Sequence, residues 1–133
     1  FVFAEPTVNP EEPDEEFPFV LLTGRGSSAQ WHTETRTSKS EILKKLHSTQ
    51  PFIEIHPDDA KRVGSGVRDY DKVIVRSRRG RLKISVRVTA SVRKGNVFIA
   101  MHHPKLNRVT LESFDPHSRQ PNYKASCVAV EQP

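Results

Sequence analysis

The longest regular pattern in the sequence is the stretch Arg81-Leu82-Lys83-Ile84-Ser85-Val86-Arg87-Val88. Apolar and polar side chains alternate along it, with the period of two that is typical of a strand with one buried face. The turn-forming sequence Arg78-Arg79-Gly80 comes directly before it, and the apolar run of residues 73–75 comes before that turn. The pattern therefore predicts two strands separated by a short turn.

Shorter apolar runs on both sides predict the rest of a sheet. Residues 19–22 and 97–100 are continuous apolar runs, which favour strands buried on both faces. Further strands are predicted at residues 51–55 and 125–130, and an edge strand at residues 1–3. Two helices are inserted: residues 38–47, with an apolar face of Ile42, Leu43 and Leu46, and a short helix that begins at Pro57. We therefore predict a mainly β domain with about six or seven strands and one or two short helices.

The composition fits one soluble domain. The chain has 133 residues, 35% of them hydrophobic and 28% charged, and no apolar run approaches the roughly 18 residues of a membrane helix. Because the chain starts with phenylalanine, we expect it to be a fragment of a longer protein. Its one cysteine, Cys127, excludes an internal disulfide and a metal site built on several thiolates, and it makes a reducing compartment, the cytoplasm, the default expectation.

Charge is divided unevenly along the chain. Residues 1–16 hold six acids, three prolines and no Lys or Arg, so we interpret them as an acidic, proline-rich linker or strap. Residues 17–133 form the domain proper and carry all 21 basic residues against the remaining ten acids. A body with a net charge of +11 is expected to have an anionic partner: nucleic acid, a phosphate-bearing cofactor or an acidic protein surface.

The segment of residues 23–37, TGRGSSAQWHTETRT, is the strongest candidate site. It follows a buried strand and precedes a helix, a place where open α/β-type folds bind ligands. Glycines let a ligand approach the backbone, hydroxyls and main-chain N–H groups suit phosphate oxygens, and Arg25 and Arg36 add charge-assisted hydrogen bonds. Trp31 offers a flat face to a planar ring. The alternative interpretation is a solvated loop with one core tryptophan.

Other constellations are weaker. Residues 107–124 form a long polar segment that is typical of a functional loop, with a plain surface loop as the alternative. The basic residues between Arg76 and Arg87 suggest a nucleic-acid surface, but no aromatic side chains are interleaved for base stacking, so a solvated sheet face is favoured. The histidines lack metal-site spacing, and no nucleophile elbow supports Ser-His-Asp hydrolysis.

Several motifs, in their order and spacing, resemble one known family. They are Thr23-Gly24-Arg25, Trp31-His32-Thr33, Met101-His102, Asn107-Arg108-Val109-Thr110, Asp115-Pro116 and Tyr123-Lys124. Together they look like the C-terminal domain of the molybdopterin oxidoreductases, the bis-molybdopterin guanine dinucleotide enzymes of the dimethyl sulfoxide reductase superfamily. The resemblance runs from about residue 17 to the end. The sequences of residues 30–33 and 118–124 look most like assimilatory nitrate reductases.

The resemblance implies a double-psi β-barrel that holds a molybdenum bis(molybdopterin guanine dinucleotide) cofactor together with the remaining domains of a parent enzyme. It implies cofactor contacts from Thr23, Gly24, Arg25, Gly26, Ser27, Gln30, Trp31, His32, Thr33, Thr35, Asn107, Tyr123 and Lys124. It places Met101 and His102 toward the substrate funnel, and it puts neither a catalytic residue nor a metal ligand in this chain. A [4Fe–4S] cluster and the molybdenum ligand would lie in other parts of the parent.

The expected parent enzyme reduces nitrate to nitrite, and the domain alone is expected to be inactive. A formate dehydrogenase of the same family is the close alternative, and a periplasmic nitrate reductase is a third. A basic nucleic-acid-binding β-barrel is the alternative from a different class. No membrane partner is predicted, and the sequence leaves the electron donor open.

Overall fold

The computed structural model describes residues 2–3, 5, 8–27, 29–46 and 50–133. The strands in these residues are β1 (Phe19–Gly24), β2 (Phe52–Ile55), β3 (Lys72–Arg76), β4 (Arg81–Val88), β5 (Asn96–Ala100) and β6 (Ser126–Glu131). The connections contain two short α-helices, α1 (Glu41–Lys45) and α2 (Pro57–Ala60), and two 3-10 turns, Thr37–Lys39 and Leu106–Arg108. Every strand predicted between residues 19 and 130 is confirmed to within about two residues, the usual uncertainty of such boundaries.

The six strands close into a barrel in the order β1-β5-β2-β4-β3-β6. Two neighbouring pairs are parallel, β1 with β5 and β2 with β4. The other neighbours are antiparallel, including the pair of β6 with β1 that closes the barrel. The prediction of a mainly β, double-psi β-barrel with about six or seven strands and one or two short helices is confirmed by the six strands and two short α-helices of the described residues.

The barrel interior is filled by the side chains that the period-two pattern assigns to one face. In β4, Leu82, Ile84 and Val86 are buried, and the arginines at both ends of the alternation are exposed. Ser85 departs from the pattern: it is buried, and its hydroxyl accepts a hydrogen bond from Nζ of Lys72 at 2.6 Å. The same alternation in the neighbouring strands supplies the rest of the core, including Leu21, Ile53, Ile55, Val73, Val75, Val97 and Ile99.

The acidic segment before β1 lies against the turn between β3 and β4. The side chain of Glu11 is only 8% exposed and accepts hydrogen bonds from Arg78 at 2.7 Å and from Arg79 at 2.9 and 3.1 Å. It also accepts one from the main-chain N–H of Cys127 at 2.6 Å. Burial acts to raise the pKa of Glu11, but these donors outweigh it and lower the pKa from its ordinary 4.5 to about 2. The carboxylate is therefore ionised in the folded chain at neutral pH.

Neighbouring contacts occupy Arg76 and Arg78, two of the basic residues that suggested a nucleic-acid surface. Asp14 pairs with Arg78, and Glu16 pairs with Arg76 at 2.8 Å. The guanidinium groups of Arg76 and Arg78 also lie over the ring of Phe17, at 4.8 and 4.5 Å from its centroid. Guanidinium groups already held by carboxylates and a ring are less available to a phosphate backbone, so this geometry disfavours the nucleic-acid alternative.

The predicted edge strand at residues 1–3 is wrong for the part of it that the structure describes. Val2 and Phe3 form no strand and are 96% and 85% exposed. Phe1 lies outside the described residues. A short apolar run predicts a strand only when a neighbouring strand is available to pair with it, and all six barrel strands already have two partners.

The predicted helix of residues 38–47 is shorter than the sequence pattern indicated. Ser40 caps it, accepting a hydrogen bond from the main-chain N–H of Leu43 at 3.4 Å, and α1 covers Glu41–Lys45. The predicted apolar face does not pack on the core, because Ile42 and Leu46 are 75% and 65% exposed. Helical spacing reports an apolar face but not what covers it. His47 lies outside the described residues.

Candidate cofactor-binding site

The loop after β1 and the residues after β5 leave the barrel at the same edge. Because β1 and β5 are parallel, their carboxyl ends lie side by side. The carbonyl of Gly24 accepts a hydrogen bond from the N–H of Met101 at 2.8 Å. A Cβ at Gly24 would lie 3.2 Å from the ring of Phe98, so the chain is closely packed where the loop begins. The first loop, residues 24–37, therefore starts beside Met101 and His102.

A hydrogen bond between residues 100 positions apart brings the second candidate loop to the first. The hydroxyl of Thr23, a residue that is 6% exposed, donates to the carbonyl of Tyr123 at 3.0 Å. The second loop, residues 113–124, is held by a turn in which Asp115 accepts a hydrogen bond from the N–H of Ser118 at 2.6 Å. Tyr123 and Lys124 are thereby placed next to the start of the first loop.

Gln30 organises the interior of the first loop. It is 5% exposed; its carbonyl oxygen accepts from the N–H of Gly26 at 3.1 Å, and its amide nitrogen donates to Glu34 at 2.7 Å. The same nitrogen lies 3.2 Å from Nε2 of His102. A Cβ at Gly26 would lie 2.9 Å from Cβ of Ala100 and 2.9 Å from the side-chain oxygen of Gln30. Packing therefore requires glycine at position 26.

Other side chains of the first loop face solvent. Trp31 is 60% exposed, so its interpretation as a core tryptophan is wrong. The guanidinium of Arg25 lies 5.6 Å from its ring centroid, and His32 packs against it edge-on. The backbone has positive φ at His32 (50°) and Glu34 (69°), a region that side-chain-bearing residues rarely adopt. Thr33 and Thr35 are also exposed. The loop thus presents cations, hydroxyls and a flat ring on its outer side.

Five of the predicted site residues line one of two separate cavities. Gly26, Ser27, Gln30 and His102 line a cavity of about 210 Å³ beside β2. Asn107 instead lines a separate cavity of about 460 Å³, with Arg79, Arg108 and Thr110 among its walls. The structure therefore brings the first loop, Met101, His102, Tyr123 and Lys124 to one edge, and it places Asn107 in a different cavity.

The residues at this edge fit a phosphate-bearing dinucleotide. Arg25 and Lys124 are exposed cations, and Trp31 is an exposed planar ring. Nδ1 of His102 is buried and has no hydrogen-bond partner among the described residues, as expected of a polar atom kept for a bound group. Crowding at position 26 requires glycine, and because glycine has no Cβ, a ligand can come close to the main chain there. Together these groups offer charge, hydrogen-bond donors and a stacking face.

Sequence reasoning missed Glu34, whose carboxylate is part of the Gln30 network. The only signal that pointed to it was its charge, since an acid is unexpected in a loop predicted to bind an anion. Glu11 was noticed only as part of an acidic run, because no local pattern links it to Arg78 and Arg79.

The titratable groups outside the loops show no metal centre. Within the described ranges, no group of three or more His, Cys, Asp or Glu side chains is placed to hold a metal ion. Burial lowers the pKa of His103 and raises the pKa of Cys127, so both side chains are held neutral at pH 7. No helix in the part of the chain that the structure describes is long and apolar enough to cross a membrane.

Comparison with known proteins identifies the family to which the chain belongs. Residues 19–127 match the family described as the Molydopterin dinucleotide binding domain. The chain is 37% identical to a periplasmic nitrate reductase of Desulfovibrio desulfuricans over 90% of this chain and 16% of that protein. It is 38% identical to a nitrate reductase of Symbiobacterium thermophilum, over 98% of this chain and 18% of that protein.

Two further similarities extend the comparison. An F420-dependent formate dehydrogenase 1 subunit alpha of Methanococcus maripaludis is 33% identical over 98% of this chain and 19% of that protein. The solved structure of acetylene hydratase from Pelobacter acetylenicus covers 87% of this chain with a TM-score of 0.70; at 17% identity it shows the fold alone, and the match spans 18% of that structure's chain. The chain spans less than a fifth of the length of these curated relatives. It belongs to the molybdopterin dinucleotide-binding domains of the molybdopterin oxidoreductase family.

Proposed function

We propose that the first and second loops hold the guanine dinucleotide form of the molybdenum–pterin cofactor in a parent enzyme that reduces nitrate to nitrite. The observation that carries the proposal is the hydrogen bond from Thr23 to Tyr123, because it joins the two motif-bearing loops at one edge of the barrel. Similarity to two nitrate reductases supports the substrate. We further propose an assimilatory, cytoplasmic enzyme whose [4Fe–4S] cluster lies outside this chain.

In this proposal the chain binds and orients the cofactor, which supplies the redox chemistry when it is bound. Arg25 and Lys124 pair with phosphate oxygens, since both are exposed cations beside the joined ends of the loops. Trp31 offers its face to a ring of the cofactor. Hydroxyls and main-chain N–H groups of the first loop complete the anion contacts. In the proposal Met101 and His102 face the substrate funnel, and Asn107 is left out because it lines a separate cavity. The remaining proposed contacts are Gly24, Gly26, Ser27, Gln30, His32, Thr33, Thr35 and Tyr123.

Removing either proposed phosphate-binding cation should empty the site without unfolding the barrel. In the full-length parent, Arg25→Ala and Lys124→Ala should each lower the molybdenum and guanine nucleotide content about tenfold, the loss expected for one charge-assisted contact. Exposed Arg93 and Lys83, which lie elsewhere on the barrel, give matched control variants that should keep full content. Full cofactor occupancy in both Arg25→Ala and Lys124→Ala would contradict the site assignment.

The substrate is tested by comparing nitrate with formate. We expect the full-length parent to form nitrite from nitrate with a reduced dye as donor, and to leave formate unoxidised when an oxidised dye is the acceptor. The 133-residue chain alone, as a control, should form no nitrite, since it contains only the cofactor-binding part. Formate oxidation without nitrate reduction would instead support the second candidate, which the formate dehydrogenase relative favours.

A further inference from the structure

We propose that Glu34 is a positioning residue for the cofactor loop: it holds the amide of Gln30 in one orientation, and through it fixes the main chain at Gly26 and the tautomer of His102. The inference rests on the proposed cofactor function of the first loop. Four groups meet in one place, namely the Gly26 N–H, the Gln30 amide, the Glu34 carboxylate and the His102 ring. The side chains of Glu34 and His102 are 18% and 15% exposed, so water competes little for these contacts.

The orientation of the Gln30 amide follows from its neighbours. A carboxylate only accepts hydrogen bonds, so the atom 2.7 Å from Oε1 of Glu34 is the amide nitrogen. A main-chain N–H only donates, so the atom 3.1 Å from Gly26 N is the amide oxygen. A reversed amide would place two acceptors together at Glu34 and two donors together at Gly26. Glu34 and Gly26 therefore select the same orientation.

That orientation decides the tautomer of His102. The nitrogen of Gln30, a donor, lies 3.2 Å from Nε2 of His102, so Nε2 accepts and the proton of the neutral ring is on Nδ1. The second oxygen of Glu34 is 3.9 Å from Nε2, too far for a hydrogen bond. Nδ1 is buried and without a partner among the described residues. His102 is thus set to offer its Nδ1–H to an acceptor on a bound group.

The backbone of Glu34 supports the assignment. Its φ of 69° is a conformation that side-chain-bearing residues rarely adopt and that local contacts can stabilise. The hydrogen bond from Gln30 is such a contact, because it holds the Glu34 side chain toward the interior of the loop.

The test uses Glu34→Ala, which removes the acceptor, and Glu34→Gln, which keeps an acceptor oxygen but removes the charge. Glu41→Ala is the matched control, since Glu41 is an exposed acid whose ion pair is with Lys44. Amide hydrogen exchange is measured on peptides covering residues 24–30 in full-length enzyme from cells unable to make the cofactor. Molybdenum and guanine nucleotide content are measured in enzyme from cells that make it.

We expect the Gly26 amide to exchange about tenfold faster in Glu34→Ala, as for loss of an ordered hydrogen bond. Cofactor content should fall severalfold in the same variant. Glu34→Gln should match the wild type in both measurements, and so should Glu41→Ala. Unchanged exchange in Glu34→Ala, or equal effects in Glu34→Ala and Glu34→Gln, would overturn the positioning role. Faster exchange with full cofactor content would instead remove this loop from the cofactor site and overturn the proposed function of the loop.

Discussion

Replacing Glu11 with alanine should lower the free energy of unfolding of the 133-residue chain by about 2–4 kcal/mol, the range expected when a buried, multiply hydrogen-bonded charge is removed. The carboxylate joins Arg78, Arg79 and the N–H of Cys127, so its loss leaves two cations and a main-chain donor without this acceptor. Urea unfolding of the two proteins measures the difference.

The same carboxylate should make stability depend on pH in the acid range. Its pKa is about 2 in the folded chain and near the ordinary 4.5 when the chain is unfolded, so between these values the unfolded chain binds more protons. The stabilisation from Glu11 is complete above about pH 4.5 and is lost as the pH falls toward 2. Glu11→Gln should therefore be less stable than the wild type at neutral pH. The difference between their free energies of unfolding should shrink as the pH is lowered through this window.

Glu12 supplies the control for both measurements. It is the neighbouring acid, it is exposed, and Glu12→Ala should change the free energy of unfolding by less than about 0.5 kcal/mol. If Glu11→Ala were no more destabilised than Glu12→Ala, or if the stability difference between Glu11→Gln and the wild type did not shrink between pH 6 and pH 3, the buried, ionised contact of Glu11 would be contradicted.

The second large effect is expected at Gly26. Gly26→Ala should lower the cofactor content of the full-length enzyme by about tenfold or more while costing the barrel only about 1–3 kcal/mol, the usual cost of overpacking. The added Cβ would meet Ala100 and the oxygen of Gln30 at 2.9 Å, and Cε1 of His102 at 3.2 Å. The chain must shift there, and the groups that shift are those proposed to face the cofactor.

A double variant tests whether crowding at position 26 causes the expected loss of cofactor content. Ala100→Gly removes one of the two closest contacts, so Gly26→Ala combined with Ala100→Gly should regain part of the lost cofactor content. Molybdenum analysis of the three variants and the wild type gives the comparison. Normal cofactor content in Gly26→Ala would show that the main chain at position 26 does not approach the bound group.

The barrel was predictable from sequence because its signals are local. Alternation in β4 and the apolar runs of β1 and β5 each report burial within a few residues, and all three became strands. The predictions of a strand at residues 1–3 and of a buried apolar face on α1 were wrong for the same reason. An apolar pattern does not show whether another element covers it. The closed strand order also lay beyond local patterns, since parallel pairs such as Leu21 with Val97 join distant segments.

The candidate site was predicted less completely. The composition of the first loop marked it as a place for an anion, but the contact between Thr23 and Tyr123 depends on the register of β1 with β6. Glu34 was overlooked because its role comes from the orientation of Gln30, which only the fold determines. Asn107, grouped with the others by resemblance, lies in another cavity, so motif order did not imply adjacency.

The place of β1 in the barrel has a consequence for the order of events in synthesis. Its two neighbours are β5 and β6, which follow the other four barrel strands in sequence, so β1 can pair with both neighbours only after residues 96–131 have been made. Pairs so distant in sequence form late, because the entropy of closing long loops must be lost first. The edge that carries both loops cannot exist before β6 is made. We therefore expect cofactor loading to follow the synthesis of β6, because the edge that carries both loops is complete only when β6 has closed the barrel.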